Sequence, residues 1–207
     1  KICMFEPSNS QEAKDMTKDA YAVSERFHTP VMIRMTTRVD HSKSLVELGE
    51  RKEVPAVPYV KQRDRLDDVP AVSKQRRYVI EEREKQLKEY SENSPFNYEE
   101  MHDTKIGIVA SGVAYMYAKE VLGDKASYLK IGFSYPLPIE KIRAFSKKVD
   151  TLYVVEELDP VMEEQIKAAG IDCHGKDVIP NIDELNPNIV ATGILGKGFP
   201  NKTVPDG

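Results

Sequence analysis

An α/β fold with a largely parallel sheet is what this sequence predicts, and three observations carry the prediction. Within residues 105–159, three short apolar runs occur: Lys-Ile-Gly-Ile-Val-Ala-Ser-Gly at 105–112, Ala-Ser-Tyr-Leu-Lys-Ile-Gly at 126–132 and Thr-Leu-Tyr-Val-Val-Glu-Glu at 151–157. Each leads through a turn into a segment with helical spacing, and repeated strand–turn–helix units build parallel sheets. A separate strand–helix–strand pattern opens the chain. Finally, 207 residues with 40% hydrophobic and 31% charged content are enough for a sizeable core under a polar surface.

The first element is a buried strand over 1–5. Glu6-Pro7-Ser8-Asn9-Ser10 makes a turn, with Asn9 or Ser10 as N-cap and Glu12 in the first helical turn. Ala13, Met16, Thr17, Ala20, Tyr21, Ser24 and Phe27 then recur at i, i+3, i+4, i+7, which predicts an amphipathic helix. Thr29-Pro30 stops it, and 31–35 reads as a second buried strand. Two strands alone are marginal, so this unit is expected to join a sheet built elsewhere. Its open edge and apolar surface invite association, including with a second copy.

Residues 36–42, Thr-Thr-Arg-Val-Asp-His-Ser, fall at the carboxyl end of that strand, where open α/β sheets tend to bind ligands. Thr37, Arg38, His41 and Ser42 are therefore candidate binding residues. Arg38 suits a carboxylate or phosphate, and His41 can donate a hydrogen bond or move a proton. The alternative is that they only finish the strand and cap the turn. From 44 to 70 the periodicity dissolves, and Pro55, Pro58 and Pro70 predict an extended segment strapped across the molecule's own surface. Residues 71–91 read as a long helix with a thin apolar stripe of Val72, Val79, Ile80, Arg83 and Leu87.

In the central unit, a helix over 112–122 is expected to bury Val113, Met116, Tyr117 and Val121. A second helix begins at Pro138 and turns Ile139, Ile142, Phe145 and Val149 inward. A third starts with Asp159 as N-cap and Pro160 at the first helical position, and Gly170 ends it. Residues 171–173 and 189–192 both read as short strands, and 193–207 as a glycine- and proline-containing linker.

A net charge of -4 gives no nucleic-acid signature. Residues 61–92 hold nine Lys or Arg and eight Asp or Glu, a balance that suits a solvated helix laced with ion pairs. No uncharged stretch is long enough to span a bilayer, and none reads as a secretory signal. The two cysteines, Cys3 and Cys173, form no metal motif and no disulfide framework, which favours a reducing cytoplasm. The loop at 107–112 lacks both the Lys-Ser/Thr of a P-loop and the GxGxxG pattern of a dinucleotide site, which leaves a tight turn at Ser111-Gly112. Glu156, Glu157 and Asp159 cluster at a strand end. Such carboxylates can bind magnesium or exchange protons, but capping and interdomain ion pairing suit this set better. His174 beside Cys173 is too little for a metal site.

Several runs nevertheless match a known family. Glu6-Pro7-Ser8-Asn9-Ser10-Gln11-Glu12-Ala13, Thr29-Pro30-Val31, the run at 36–42, Glu82-Arg83, the run at 105–112, Tyr135-Pro136-Leu137-Pro138 and Glu156-Glu157-Leu158-Asp159-Pro160 occur in the family's order. They resemble the 2-oxoacid:ferredoxin oxidoreductases, and specifically the alpha subunit of the indolepyruvate type. The resemblance implies a thiamine-diphosphate and magnesium enzyme that oxidatively decarboxylates aryl pyruvates with coenzyme A. Its electrons would pass through iron–sulfur clusters to ferredoxin, with a beta subunit as partner. It also implies that 1–55 end a pyrimidine-binding domain and that 56–97 are an extended linker and long helix. Residues 98–192 would form a transketolase C-terminal-like α/β domain, and 193–207 would lead to a diphosphate-binding domain. The Gly-Asp-Gly metal motif, the cysteine-rich segment and the early pyrimidine domain with its activating glutamate are not in this sequence. The expectation is therefore an internal piece, inactive alone, with no cofactor of its own. The alternatives are a non-catalytic α/β binding or docking module, and the same architecture acting on pyruvate or another 2-oxoacid.

Overall fold

A computed structural model describes residues 2–67 and 69–200. Two sheets organise them. Strand β1 (Cys3–Phe5) is followed by helix α1 (Ser10–Phe27), and strand β2 (Val31–Ile33) returns parallel to β1. Asn9 caps α1 by accepting from the Glu12 amide at 2.9 Å. The helix buries Met16, Ala20, Val23 and Phe27, whereas Tyr21 and Thr17 face solvent. The expected stripe is thus rotated: Val23 takes the inward place given to Tyr21. Strand β2 is a partly exposed edge rather than a buried strand, with Met32 and Met35 open to solvent.

The one-turn helix α2 (Thr37–Asp40) follows, and residues 42–62 then carry no regular structure. This extended stretch does not bury its apolar side chains as a strap would, since Leu45 and Leu48 are 100% and 88% exposed. A second single turn, α3 (Arg63–Leu66), precedes the long helix α4 (Pro70–Asn93). Only the C-terminal half of α4 is buried, at Glu84, Leu87 and Ser91, so Val79 does not contribute to a packed stripe.

Strand β3 (Asn97–Glu100) leads into β4 (Ile106–Ser111), α5 (Gly112–Leu122), β5 (Ser127–Ile131) and the short β6 (Phe133–Tyr135). Helix α6 (Ile139–Ser146), β7 (Thr151–Val155), α7 (Val161–Ala168) and α8 (Pro187–Leu195) complete the order. The larger sheet runs β3-β5-β4-β7. Strand β4 is parallel to both neighbours and β3 is an antiparallel edge. The smaller sheet runs β2-β1-β6, so the opening unit is completed by an antiparallel strand from the central region.

Three apolar clusters result. Ala114, Tyr115, Ala118 and Leu122 of α5 join Val190 of α8 on one face of the larger sheet. Ile142 and Phe145 of α6 join Met162 and Ile166 of α7 on the other. Phe5 and Phe133 of the smaller sheet pack with Met16 and Phe27 of α1 and Leu87 of α4. In α5 the buried face is centred on Ala114 and Ala118, which leaves Met116 exposed and Tyr117 and Val121 partly covered.

Two more expectations are corrected. Residues 189–192 belong to α8, because Asn186 caps the Ile189 amide at 3.0 Å and Pro187 occupies the first turn, so the apolar run winds into a helix. Residues 171–173 form no strand. Only a bridge between Tyr153 and His174 extends the sheet there.

The sheets are tied together at 97 and 132. Asn97 is 1% exposed; its amide nitrogen donates to the Ser91 and Phe133 carbonyls, and its oxygen accepts from the Gly132 and Phe133 amides. Gly132 in turn accepts from the Glu6 amide at 2.8 Å.

Candidate functional site

The carboxyl ends of β1, β2, β4 and β7 open onto one cleft of about 270 Å³. Strand β4 has β5 on one side and β7 on the other, and the connecting helices cover opposite faces of the sheet. The cleft therefore lies outside a topological switch point, the usual ligand position in an open α/β sheet. The smaller sheet closes its other side with Met4, Glu6, Arg34 and Ser134.

Glu6 organises this space. It follows β1 directly, and one carboxylate oxygen accepts from the Arg34 guanidinium at 2.8 Å and the Ser111 hydroxyl at 2.9 Å. Three strand ends thus meet on one oxygen. Gly112, with φ of 52°, lets the chain turn from β4 into α5; a Cβ there would stand 4.0 Å from the same oxygen. The Glu6 carboxylate therefore sits beside the positive end of α5.

The turn carrying Glu6 is itself anchored. Glu12 accepts from the amide and hydroxyl of Ser8 at 2.8 and 2.7 Å, and Lys130 of β5 stands 2.5 Å from the same oxygen. The Lys130 side chain is fully buried, and burial pushes its ammonium below the usual lysine range against the pull of Glu12.

Glu156 follows β7 and turns its carboxylate to α7. Its two oxygens accept from the Met162 and Glu163 amides at 2.8 and 2.9 Å. Burial raises its pKa, opposed by those amides. Asp159, the expected N-cap, instead accepts the Val161 amide with its backbone carbonyl; Pro160 holds the cap position and Glu156 does the capping. Glu157 accepts from the Leu185 amide at 2.9 Å, which pins the loop before α8. Of this acidic trio, Glu156 and Glu157 cap and tether, and all three line the cleft.

The candidates of 36–42 lie elsewhere. Thr37, Arg38, His41 and Ser42 are exposed on α2 and its end, while Thr36, one residue earlier, lines the cleft. Arg38 grips Glu184 through both nitrogens of its fork, with Nη2 to Oε2 at 2.9 Å and the second contact from Nε. That partner raises the Arg38 pKa and lowers that of Glu184. Ser42 donates to the Val39 carbonyl at 2.9 Å, and its hydroxyl lies 3.4 Å from that of Ser10. His41 closes α2 with its backbone amide on the Thr37 carbonyl.

Three cleft residues were not singled out in the sequence. Glu6 and Arg34 follow strands β1 and β2, so the strand-end rule applied to Thr36 reaches them as well. Ser134 carried no such signal because β6 is three residues long and hidden in an apparent turn. Among the described residues, no group of three or more His, Cys, Asp or Glu side chains is placed to hold a metal. Cys3 and Cys173 are both buried, in different modules. No helix of the described residues is long and apolar enough to cross a membrane.

No family model matches the chain. It is similar to indolepyruvate oxidoreductase subunit IorA of Pyrococcus abyssi, 37% identical over 202 residues, covering 89% of this chain and 31% of the relative. The same subunit of Methanothermobacter marburgensis is 35% identical over 209 residues, covering 94% of this chain and 34% of that protein. That of Archaeoglobus fulgidus is 33% identical over 202 residues, covering 94% and 32%. The chain thus spans about a third of the length of these curated relatives. Among solved structures it resembles the 2-oxoglutarate:ferredoxin oxidoreductase from Magnetococcus marinus with 2-oxoglutarate, coenzyme A and succinyl-CoA bound. There the TM-score is 0.57 at 11% identity, over 84% of this chain and 38% of that one. That likeness concerns the fold.

Proposed function

We propose that this chain is a section of the alpha subunit of an indolepyruvate-type 2-oxoacid:ferredoxin oxidoreductase, and that its cleft faces the ligands of the assembled enzyme. The observation that carries the reading is 37% sequence identity over 202 residues, which covers 89% of this chain. The reaction is the oxidative decarboxylation of an aryl pyruvate with coenzyme A, with ferredoxin as electron acceptor and a beta subunit as partner, in the cytoplasm. Residues 1–55 are the end of a pyrimidine-binding domain, 56–97 a linker and helix, and 98–192 a transketolase C-terminal-like domain, with 193–207 leading onward. Of these, 201–207 lie outside the described residues.

Thiamine diphosphate with magnesium supplies the carbanion chemistry in such an enzyme, and iron–sulfur clusters carry the electrons. These residues do not fit either group. Two buried cysteines in separate modules cannot supply a cluster's thiolates, and no group of three or more described His, Cys, Asp or Glu side chains is placed to hold a metal. The proposal gives the section a binding and orienting role, with no activity of its own. Glu6 holds Arg34 and Ser111 in place at the cleft, and Thr37, Arg38, His41 and Ser42 form an outer surface toward substrate, cofactor or a neighbouring domain. Glu156, Glu157 and Asp159 fix the opposite rim.

The test is viologen reduction by the complete subunit with its partner, dependent on indolepyruvate and coenzyme A. Activity is expected there and none in the 207-residue chain alone. Turnover by the isolated chain, or by the assembly with pyruvate but no aryl pyruvate, contradicts the reading. A docking role is favoured by one separate observation: among the described residues, half of the exposed large apolar side chains fall within residues 45–79, including Val57 and Tyr59. That stretch is a surface for another subunit or a second copy.

A further inference from the structure

We infer that the cleft contains a subsite for an organic oxyanion, a carboxylate or phosphate, held by Arg34, Ser134 and the first turn of α5. This deepens the reading above by naming the ligand chemistry of the same cleft.

Glu6 is engaged with Arg34 and Ser111, Glu156 with two amides of α7 and Glu157 with the Leu185 amide, while the Asp159 carboxylate also lines the cleft. Donor capacity remains beside them. A guanidinium has about five N–H donors, and the contact recorded for Arg34 takes one of them. Ser111 occupies the N-cap of α5 but makes no side-chain cap there, because its hydroxyl goes to Glu6. The first-turn amides of this 11-residue helix are thereby left without a cap acceptor.

Ser134 is the independent observation. It is 9% exposed, its hydroxyl has no hydrogen-bond partner, and it lines the cleft. Phe133 enters the core beside α4, and Ser134, at the irregularity in the β1–β6 pairing, lines the cleft together with Met4 and Tyr135. Thr36 lines the cleft with its hydroxyl in the same buried, unpartnered condition. A buried hydroxyl without a partner is destabilising. Two at one cleft mark a place where an acceptor is expected, and a space of about 270 Å³ is far larger than a single water needs. Met4, Val113, Val161 and Met162 add apolar wall, beside the polar Asp159 and Gln165. The ligand is therefore an anion with an apolar body.

Backbone-amide NMR of the full chain, titrated separately with phenylacetate and with inorganic phosphate, tests this. Saturable shifts are expected at Val113, Ala114 and the neighbours of Ser134, with one probe or both. The carboxylate or the phosphate is then identified by which one saturates. Ser134→Ala removes one hydroxyl without adding bulk and is expected to weaken binding about tenfold, and Arg34→Met more. Absence of saturable shifts with both probes overturns the subsite, and so do shifts indifferent to both substitutions. Anion binding without aryl-pyruvate activity in the complete enzyme sinks the proposed function and spares the subsite. Activity without anion binding here does the reverse.

Discussion

Lys130, fully buried in the middle of β5, stands 2.5 Å from the Glu12 carboxylate of α1, joining the larger sheet to the helix that packs on the smaller one. Glu12 also holds both polar groups of Ser8, two residues from Glu6, so the pair fixes the turn that brings Glu6 to the cleft. A buried pair of this kind adds little net stability, but removing one partner strands the other charge. Lys130→Met is expected to cost about 3–5 kcal/mol in urea unfolding. Combining it with Glu12→Leu should recover a large part of that loss. Additive losses would mean that the two charges are not coupled.

Asn97 offers a second test of the same seam. Its four hydrogen bonds to Ser91, Gly132 and Phe133 replace strand pairing where the sheets meet. Asn97→Ala leaves these groups buried and unpaired, with an expected loss of about 3 kcal/mol. A denaturation midpoint unchanged from the parent chain would contradict this role. Gly132→Ala makes the steric counterpart, since its Cβ would meet the Phe96 carbonyl oxygen and the Met16 methyl, each at 2.7 Å. Overpacking against backbone is expected to cost about 2–3 kcal/mol.

Glu156 predicts a pH effect whose sign is fixed by burial. Its folded pKa lies above the ordinary value of 4.5, so the fold favours the protonated form. Stability from this group is full below that ordinary value and is lost as pH rises through the raised one. Glu156→Gln should therefore gain on the parent chain as pH increases through that window, in paired unfolding curves. A difference between the two that is constant with pH would contradict the assignment.

Much of this was readable in the residues, and the failures have physical causes. The Asn9 cap, the Gly112 turn and the strands at 106–111 and 151–155 carry local signals strong enough to survive packing. Tyr21 and Met116 were misplaced because a helix stripe read from hydrophobicity alone rotates easily when small residues, here Ala20, Ala114 and Ala118, form the buried line. Strand β6 escaped because three residues have no period, and its pairing partner β1 lies about 130 residues earlier. The cleft was half legible. The strand-end reading reached Thr36 but not Arg34, and that Glu6, Arg34 and Ser111 share one oxygen depends on the contact between two sheets.

Arg38 and Glu184 separate structure from function on the outer surface. Their pair is solvent-exposed, and such pairs are screened and contribute little to folding. Arg38→Ala should leave the thermal midpoint unchanged while lowering aryl-pyruvate turnover in the complete oxidoreductase. Unchanged turnover would remove 36–42 from the functional surface.

The central claim is that the cleft ordered by Glu6 is the ligand-facing part of an oxidoreductase subunit, and kcat/KM for an aryl pyruvate in the complete enzyme tests it most directly. Glu6→Gln releases Arg34 from its charged partner while keeping the side chain's size. A fall of about 10- to 100-fold is expected, with the assembly's thermal midpoint preserved. A kcat/KM equal to that of the parent enzyme would contradict it.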